Sequence, residues 1–146
     1  MSDQKSSILL VEDDYLDSMG VERELKKLNI DNPLYVARNG KEALAMLRGE
    51  GQKKIDPQPS IVILDINMPR LNGFEFLEEV RKDPVLRSLN VFILTTSNDE
   101  LDREAARDLN VAGFIEKPLS FEKFGTGGTD IEGFNLFVEL LQIKDK

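Results

Sequence analysis

The stretch that decides the fold is Ile61–Gly73, which reads IVILDINMPRLNG. It opens with apolar, mostly β-branched residues, and this pattern predicts a strand buried on both faces. The strand ends with the carboxylate of Asp65, and Pro69 and Gly73 then mark a short loop. Ligands of open α/β sheets bind at the carboxyl ends of the strands, where a buried acid needs a cation or hydrogen bonds. Asp65 alone is more simply interpreted as the start of the loop, so the rest of the chain must decide.

The remaining chain alternates strand and helix signals around this stretch. Four further strands are predicted by short apolar runs, at 8–11, 34–37, 91–94 and within 111–115. Helices are predicted by apolar residues at helical spacing, over 15–28, around 43–47, from 74 to near 83, and over 100–109. A chain that alternates strand and helix in this way is expected to form a parallel sheet with helices on both faces.

Two segments interrupt the alternation. Gly49–Ser60 is rich in Gly, Pro, Lys and Gln, and we interpret it as a surface loop in preference to a partner contact. A last helical stretch opens at Ser120, but the glycine-rich run 125–128 would destabilise a helix, which favours a kink or a split. A phosphate-binding loop is the weaker alternative there, because no strand precedes the run and it does not match a Walker pattern. The expected organisation is a single domain over 1–146, with a core from about 8 to 124 and an interrupted helix over 125–146.

Composition excludes several classes of function. The chain of 146 residues contains neither cysteine nor histidine, so thiolate and histidine metal sites and Ser-His-Asp catalysis are excluded. Any bound metal should therefore be a hard cation held by oxygen ligands. A net charge of −8 argues against nucleic-acid binding. The sequence lacks a long apolar run and a signal-peptide pattern, so we expect a cytoplasmic protein with no membrane partner.

Residues with phosphoryl-transfer chemistry follow the predicted strands, at Glu12, Asp13, Asp65, Thr95 and Lys117. Carboxylates that converge at one sheet edge repel each other unless a cation joins them, and Mg²⁺ suits such oxygen ligands. A carboxylate can attack phosphorus to form an aspartyl phosphate, while a lysine ammonium and a threonine hydroxyl contact the phosphoryl oxygens. Each residue alone has an ordinary structural explanation. Their joint occurrence at successive strand ends indicates a phosphoryl site.

Four motifs resemble those of response-regulator receiver domains of two-component signalling: ILLVEDD at 8–14, LDINMPRLNG at 64–73, ILTTS at 93–97 and FIEKP at 114–118. The resemblance implies an α/β, flavodoxin-like (βα)5 three-layer sandwich with a parallel five-stranded sheet of order 2-1-3-4-5. The run Asn39–Leu44 and the long loop Gly49–Ser60 are also similar to the single-domain regulators that are paired with bacterial phytochromes.

The resemblance assigns the acceptor and the metal ligands. It implies that Asp65 accepts the phosphoryl group and also contacts Mg²⁺. Asp13 would bind the metal directly, and Glu12 mostly through water. Asn67 would offer its backbone carbonyl as a further ligand. Asp14 falls one position beyond the metal pair and is left out of the site.

The resemblance also assigns the residues that respond to the phosphoryl group. Thr95 and Lys117 would contact its oxygens, and Thr95 and Phe114 would form the conformational switch. An ordinary core role for Phe114 is the alternative. The Lys117–Pro118 bond is a candidate cis peptide, since the family usually has one there.

The expected function is that of a stand-alone phosphoacceptor signalling protein. Its phosphate would come from a histidine kinase or phosphotransfer protein, and its output would be a contact with a downstream protein, with a homodimer left open. It would not be an enzyme beyond its own phosphoryl transfer and dephosphorylation. Two rivals remain: a phosphatase of the haloacid dehalogenase type, which usually has a second Asp where this chain has Asn67, and a degenerate receiver that serves only as an interaction module.

Overall fold

Strands and helices alternate along the residues that the computed structural model describes, which are 7–27, 32–51, 54–55, 58–65, 73–95, 104 and 107–116. The strands are β1 (Ile8–Val11), β2 (Leu34–Ala37), β3 (Ile61–Asp65), β4 (Val91–Thr95) and β5 (Gly113–Glu116). The helices are α1 (Tyr15–Lys27), α2 (Gly40–Arg48) and α3 (Gly73–Lys82). The predicted helix over 100–109 lies largely outside the described residues, and the predictions for 117–146 lie wholly outside them.

The strands form one parallel sheet of order β2-β1-β3-β4-β5, which confirms the predicted flavodoxin-like fold. Strand β3 lies at the centre, where Val11 of β1 pairs with Leu64 and Leu94 of β4 pairs with Asp65. All five residues of β3 are buried, as its unbroken apolar run predicted. The carboxyl ends of β1, β3 and β4 therefore meet at one edge of the sheet.

Side chains that alternate along the strands divide the core between the two faces of the sheet. On one face, Leu9, Leu64 and Ile93 pack with buried residues of α2 and α3 such as Leu47 and Phe76. On the other face, strand residues that include Leu10 and Ile63 pack with α1. The sheet is thus the middle layer between helices on both sides, as expected for a three-layer sandwich.

Helix α1 buries fewer of its apolar residues than its spacing suggested. Val21 and Leu25, which lie one turn apart, are buried against the sheet. Leu16 is 75% exposed and Met19 is 37% exposed, because they lie away from the Val21–Leu25 face of the helix. None of the helices in the described ranges has both the length and the apolar character needed to cross a bilayer.

Asp83 connects the end of α3 to α2, on the side of the sheet opposite the carboxyl ends of the strands. Its Oδ1 accepts hydrogen bonds from the backbone N–H of Val85 at 2.8 Å and of Leu86 at 3.3 Å. Its Oδ2 accepts a hydrogen bond from Nε of Arg48 at 3.2 Å. The Val85 hydrogen bond is the main cause that lowers the pKa of Asp83, and Leu86 and Arg48 act in the same direction.

We expect Asp83→Asn to lower the thermal midpoint at pH 7, because a neutral amide accepts the Val85 and Leu86 hydrogen bonds more weakly than a carboxylate and cannot attract Arg48. A carboxyl group with a lowered folded-state pKa stabilises the fold above its unfolded pKa, and that stability is lost as pH falls through the folded value. The difference between wild type and variant should therefore narrow below about pH 4. Thermal melts from pH 7 to pH 3 measure this difference, with the exposed Asp108→Asn as the control. A difference that is independent of pH would contradict this account.

Candidate functional site

Three carboxylates converge at the carboxyl edge of the sheet. Glu12 and Asp13 directly follow β1, and Asp65 is the last residue of the neighbouring strand β3. One carboxylate oxygen from each residue lies within 4.8 Å of the others. The parallel pairing of β1 with β3 causes this approach, because it brings the ends of the two strands to the same level.

The environment of the cluster suits a hard cation. Glu12 and Asp65 are each only 2% exposed, whereas Asp13 is exposed to solvent. Burying like-charged carboxylates near one another is unfavourable unless positive charge or hydrogen bonds accompany them. An all-oxygen, mainly carboxylate donor set is the kind that Mg²⁺ and similar cations bind. The three side chains therefore fit the metal that the sequence led us to expect.

Asp14 has a different task from its two neighbours. Its Oδ1 accepts hydrogen bonds from the backbone N–H of Leu16 at 2.8 Å and of Asp17 at 3.1 Å, so it caps the start of α1. Its own backbone N–H donates to Oε1 of Glu12 at 3.2 Å. Asp14 therefore shapes the loop that carries Asp13, and its carboxylate does not belong to the three-residue cluster.

The other predicted site residues follow the ends of β4 and β5. Thr95 is the last residue of β4, and its backbone pairs with Glu116, the last residue of β5. Phe114 is half-buried on β5, pairs with Ile93 and packs against the core on the α2 and α3 side. Asn67, Lys117 and Pro118 lie outside the described residues, although Lys117 directly follows Glu116 in the sequence.

The sequence did not point to one contact near this site. The guanidinium of Arg107 lies over the ring of Phe114, with its Cζ atom 5.7 Å from the ring centroid. Arg107 is exposed and precedes a turn in which Asn110 adopts a left-handed conformation with φ of 59°. Hydrophobic periodicity carries no signal for such a contact, because it depends on how the turn folds the chain back.

A groove of about 650 Å³ runs from the acidic cluster along α1 and the edge strand β2. Its walls mix charged residues such as Glu22 and Arg38 with apolar ones such as Tyr15 and Val36. Since Glu12 and Asp13 also line the groove, the groove adjoins the acidic cluster.

Comparison with known proteins identifies the family. A model of the response regulator receiver domain matches residues 8–126. Response regulator Rcp1 of Synechocystis sp. is 36% identical over 137 residues, which is 92% of this chain and 93% of that protein. The solved structure of the bacteriophytochrome response regulator AtBRR aligns with a TM-score of 0.76 at 32% identity. The alignment covers 96% of this chain and 94% of the AtBRR chain. The Mn²⁺-bound form of Rcp1 has a TM-score of 0.71 at 33% identity, over 94% of this chain and 91% of its own. The chain therefore belongs to the response-regulator receiver family of two-component signalling.

Proposed function

We propose that this protein is a Mg²⁺-dependent phosphoacceptor. In this proposal Asp65 receives a phosphoryl group from a partner histidine kinase or phosphotransfer protein and signals through a protein contact that depends on phosphorylation. The observation that carries the proposal is the cluster of Glu12, Asp13 and Asp65, with one oxygen from each within 4.8 Å of the others. Membership of a signalling family supports it, since receivers are generally not ordinary enzymes.

The transfer step uses a carboxylate oxygen of Asp65 as the nucleophile. That oxygen forms a bond to phosphorus, and the donor's P–N bond of a phosphohistidine, or the P–O bond of acetyl phosphate, breaks. The bonding electron pair leaves with the imidazole or the acetate, and an aspartyl phosphate results. In the later dephosphorylation, water attacks phosphorus and the bond between phosphorus and the Asp65 oxygen breaks. Inorganic phosphate leaves, and Asp65 returns to its free carboxylate.

The surrounding residues would position and neutralise the phosphoryl group. Glu12, Asp13 and Asp65, with the backbone carbonyl of Asn67, are the proposed holders of Mg²⁺. When bound, that ion would supply positive charge for the equatorial oxygens. Thr95 and Lys117 would contact those oxygens through a hydroxyl and an ammonium group. The Mn²⁺-bound form of the relative Rcp1 supports a divalent cation here.

The rival functions have less support. A phosphatase of the haloacid dehalogenase type would usually need an acid or base two residues after the nucleophile, where this chain has Asn67. A receiver that serves only as an interaction module would have no need of the three converging acids. Similarity to bacteriophytochrome regulators makes a phytochrome-type histidine kinase in the cytoplasm the first donor to test.

Asp65→Asn should abolish phosphorylation. Incubation with acetyl phosphate and Mg²⁺ should add one phosphoryl group to the wild type, detected by intact mass, because the proposal assigns a single acceptor, Asp65. The variant should stay at background, since an amide is not a competent nucleophile. Asp14→Asn is the matched control and should be labelled like the wild type, because Asp14 lies outside the cluster and the side-chain oxygen of asparagine can still cap α1. Undiminished labelling of Asp65→Asn would overturn the assignment of the acceptor.

Asp13→Asn should weaken the stabilisation by Mg²⁺. A ligand that binds only the folded state adds about 2.7 kcal/mol to the free energy of unfolding at a hundredfold excess over its Kd. Replacing one charged ligand raises the Kd, so the increment at the same Mg²⁺ concentration should shrink. Urea unfolding with Mg²⁺ and with EDTA measures it, and Asp14→Asn should keep the full increment. An increment in Asp13→Asn equal to that of the wild type would argue against this metal site.

Thr95→Ala should separate phosphorylation from the conformational response. The variant keeps Asp65 and the acidic cluster, so acetyl phosphate should still label it. Without the hydroxyl that is proposed to follow the phosphoryl group, Phe114 should no longer change its packing. NMR resonances of the Phe114 ring, recorded before and after labelling, report this change. Equal shifts in wild type and Thr95→Ala would mean that Phe114 does not respond through Thr95.

A further inference from the structure

Arg107 and Phe114 form a cation–π contact beside the proposed switch. The Arg107 Cζ atom lies 5.7 Å from the centroid of the ring, within the distance of about 6 Å at which a guanidinium is attracted by an aromatic face. Phe114 is only half-buried, so its ring has both a side packed on the core and a side that Arg107 covers. At an exposed site such a contact changes an equilibrium by about two- to fivefold.

A tight turn brings Arg107 over the ring. The backbone N–H of Asn110 donates to the carbonyl of Arg107 at 3.0 Å, and Asn110 adopts a φ of 59°, in the left-handed region. Ala112 then donates to the carbonyl of Val91 at 2.7 Å, so the chain enters the sheet directly after the turn. The position of the Arg107 backbone relative to β5 is therefore defined by hydrogen bonds.

Arg81, near the end of α3, holds the turn at Asn110 through hydrogen bonds. Its Nε donates to the carbonyl of Leu109 at 2.7 Å, and its Nη2 donates to the carbonyl of Asn110 at 3.1 Å. Its Nη1 donates to the carbonyls of Arg87 at 2.7 Å and Leu89 at 2.9 Å, just before β4. The Arg81 guanidinium thus connects α3 to the segments that lead into β4 and β5. These hydrogen bonds hold the turn that follows Arg107 in place.

We propose that Arg107 is a positioning residue for the switch, because its guanidinium holds the Phe114 ring in the half-buried position seen here. The inference rests on the proposed role of Phe114 as the aromatic that moves after phosphorylation. A ring that moves inward leaves the guanidinium, so the contact favours the unphosphorylated arrangement. Arg107 therefore sets how much of the unmodified protein already adopts the activated arrangement.

The test compares three substitutions at exposed arginines. Arg107→Gln removes the charge and shortens the side chain, and Arg107→Lys keeps the charge without the planar group. Arg87→Gln makes the same change at a side chain in the segment before β4. Beryllofluoride with Mg²⁺ serves as the probe, since it mimics a phosphoryl group on a carboxylate. The amide chemical shifts of β4 in each free protein are compared with those of the free and the beryllofluoride-bound wild type. Their position between these two limits gives the activated fraction. The apparent Kd for beryllofluoride is measured as well.

We expect Arg107→Gln to increase the activated fraction of the free protein by about two- to fivefold and to lower the apparent Kd by up to the same factor. Arg107→Lys should give a smaller change, and Arg87→Gln should match the wild type. Unchanged β4 resonances and Kd in Arg107→Gln, or an equal change in Arg87→Gln, would overturn this inference alone. A wild type that binds the probe while its β4 amides do not respond would refute the proposed switch and, with it, this inference. A wild type that does not bind the probe would instead count against the proposed acceptor site.

Discussion

The parallel pairing of β1 with β3 is the constraint on which the rest of the structure depends. It brings Glu12 and Asp13 level with Asp65, so that like charges lie close together where two of the three side chains are buried. Such an arrangement opposes folding unless other interactions hold the strands in place. The apolar strands, packed on both faces, supply that support. The apolar packing of the strands therefore offsets the repulsion among the acids at their carboxyl ends.

The amino and carboxyl ends of the strands are surrounded by different kinds of interaction. At the amino ends of β4 and β5, Arg81 binds four backbone carbonyls, and Asp83 joins α3 to α2 through Arg48. At the carboxyl ends, the strands finish in the acidic cluster and in Thr95. Hydrogen bonds that tie loops to helices resist displacement, whereas a cluster of like charges responds to an added cation or phosphoryl group. This asymmetry suits a protein whose proposed signal begins at one edge.

Membership of the receiver family and the geometry of this chain answer different questions. The family supplies the frame in which Asp65 is the proposed acceptor and a kinase the proposed donor. The geometry adds features of this chain, such as the cap that Asp14 forms on α1 and the cover that Arg107 places on Phe114. These side chains shape the loop that carries Asp13 and the surroundings of the proposed switch aromatic.

The sequence by itself determined the parallel α/β fold and the candidate acids. Buried parallel strands are continuous apolar runs, and the residues after them must meet at one edge, so Glu12, Asp13 and Asp65 could be named without coordinates. The exposure of Leu16 and Met19 could not be foreseen, because periodicity places them away from Val21 and Leu25 but does not tell which of the two faces the sheet covers. The tertiary structure alone decided that Arg107 lies on Phe114 and that Arg81 binds the turn beneath it. Those contacts join residues through the left-handed turn at Asn110, and a local pattern of apolar and polar residues does not encode such a geometry.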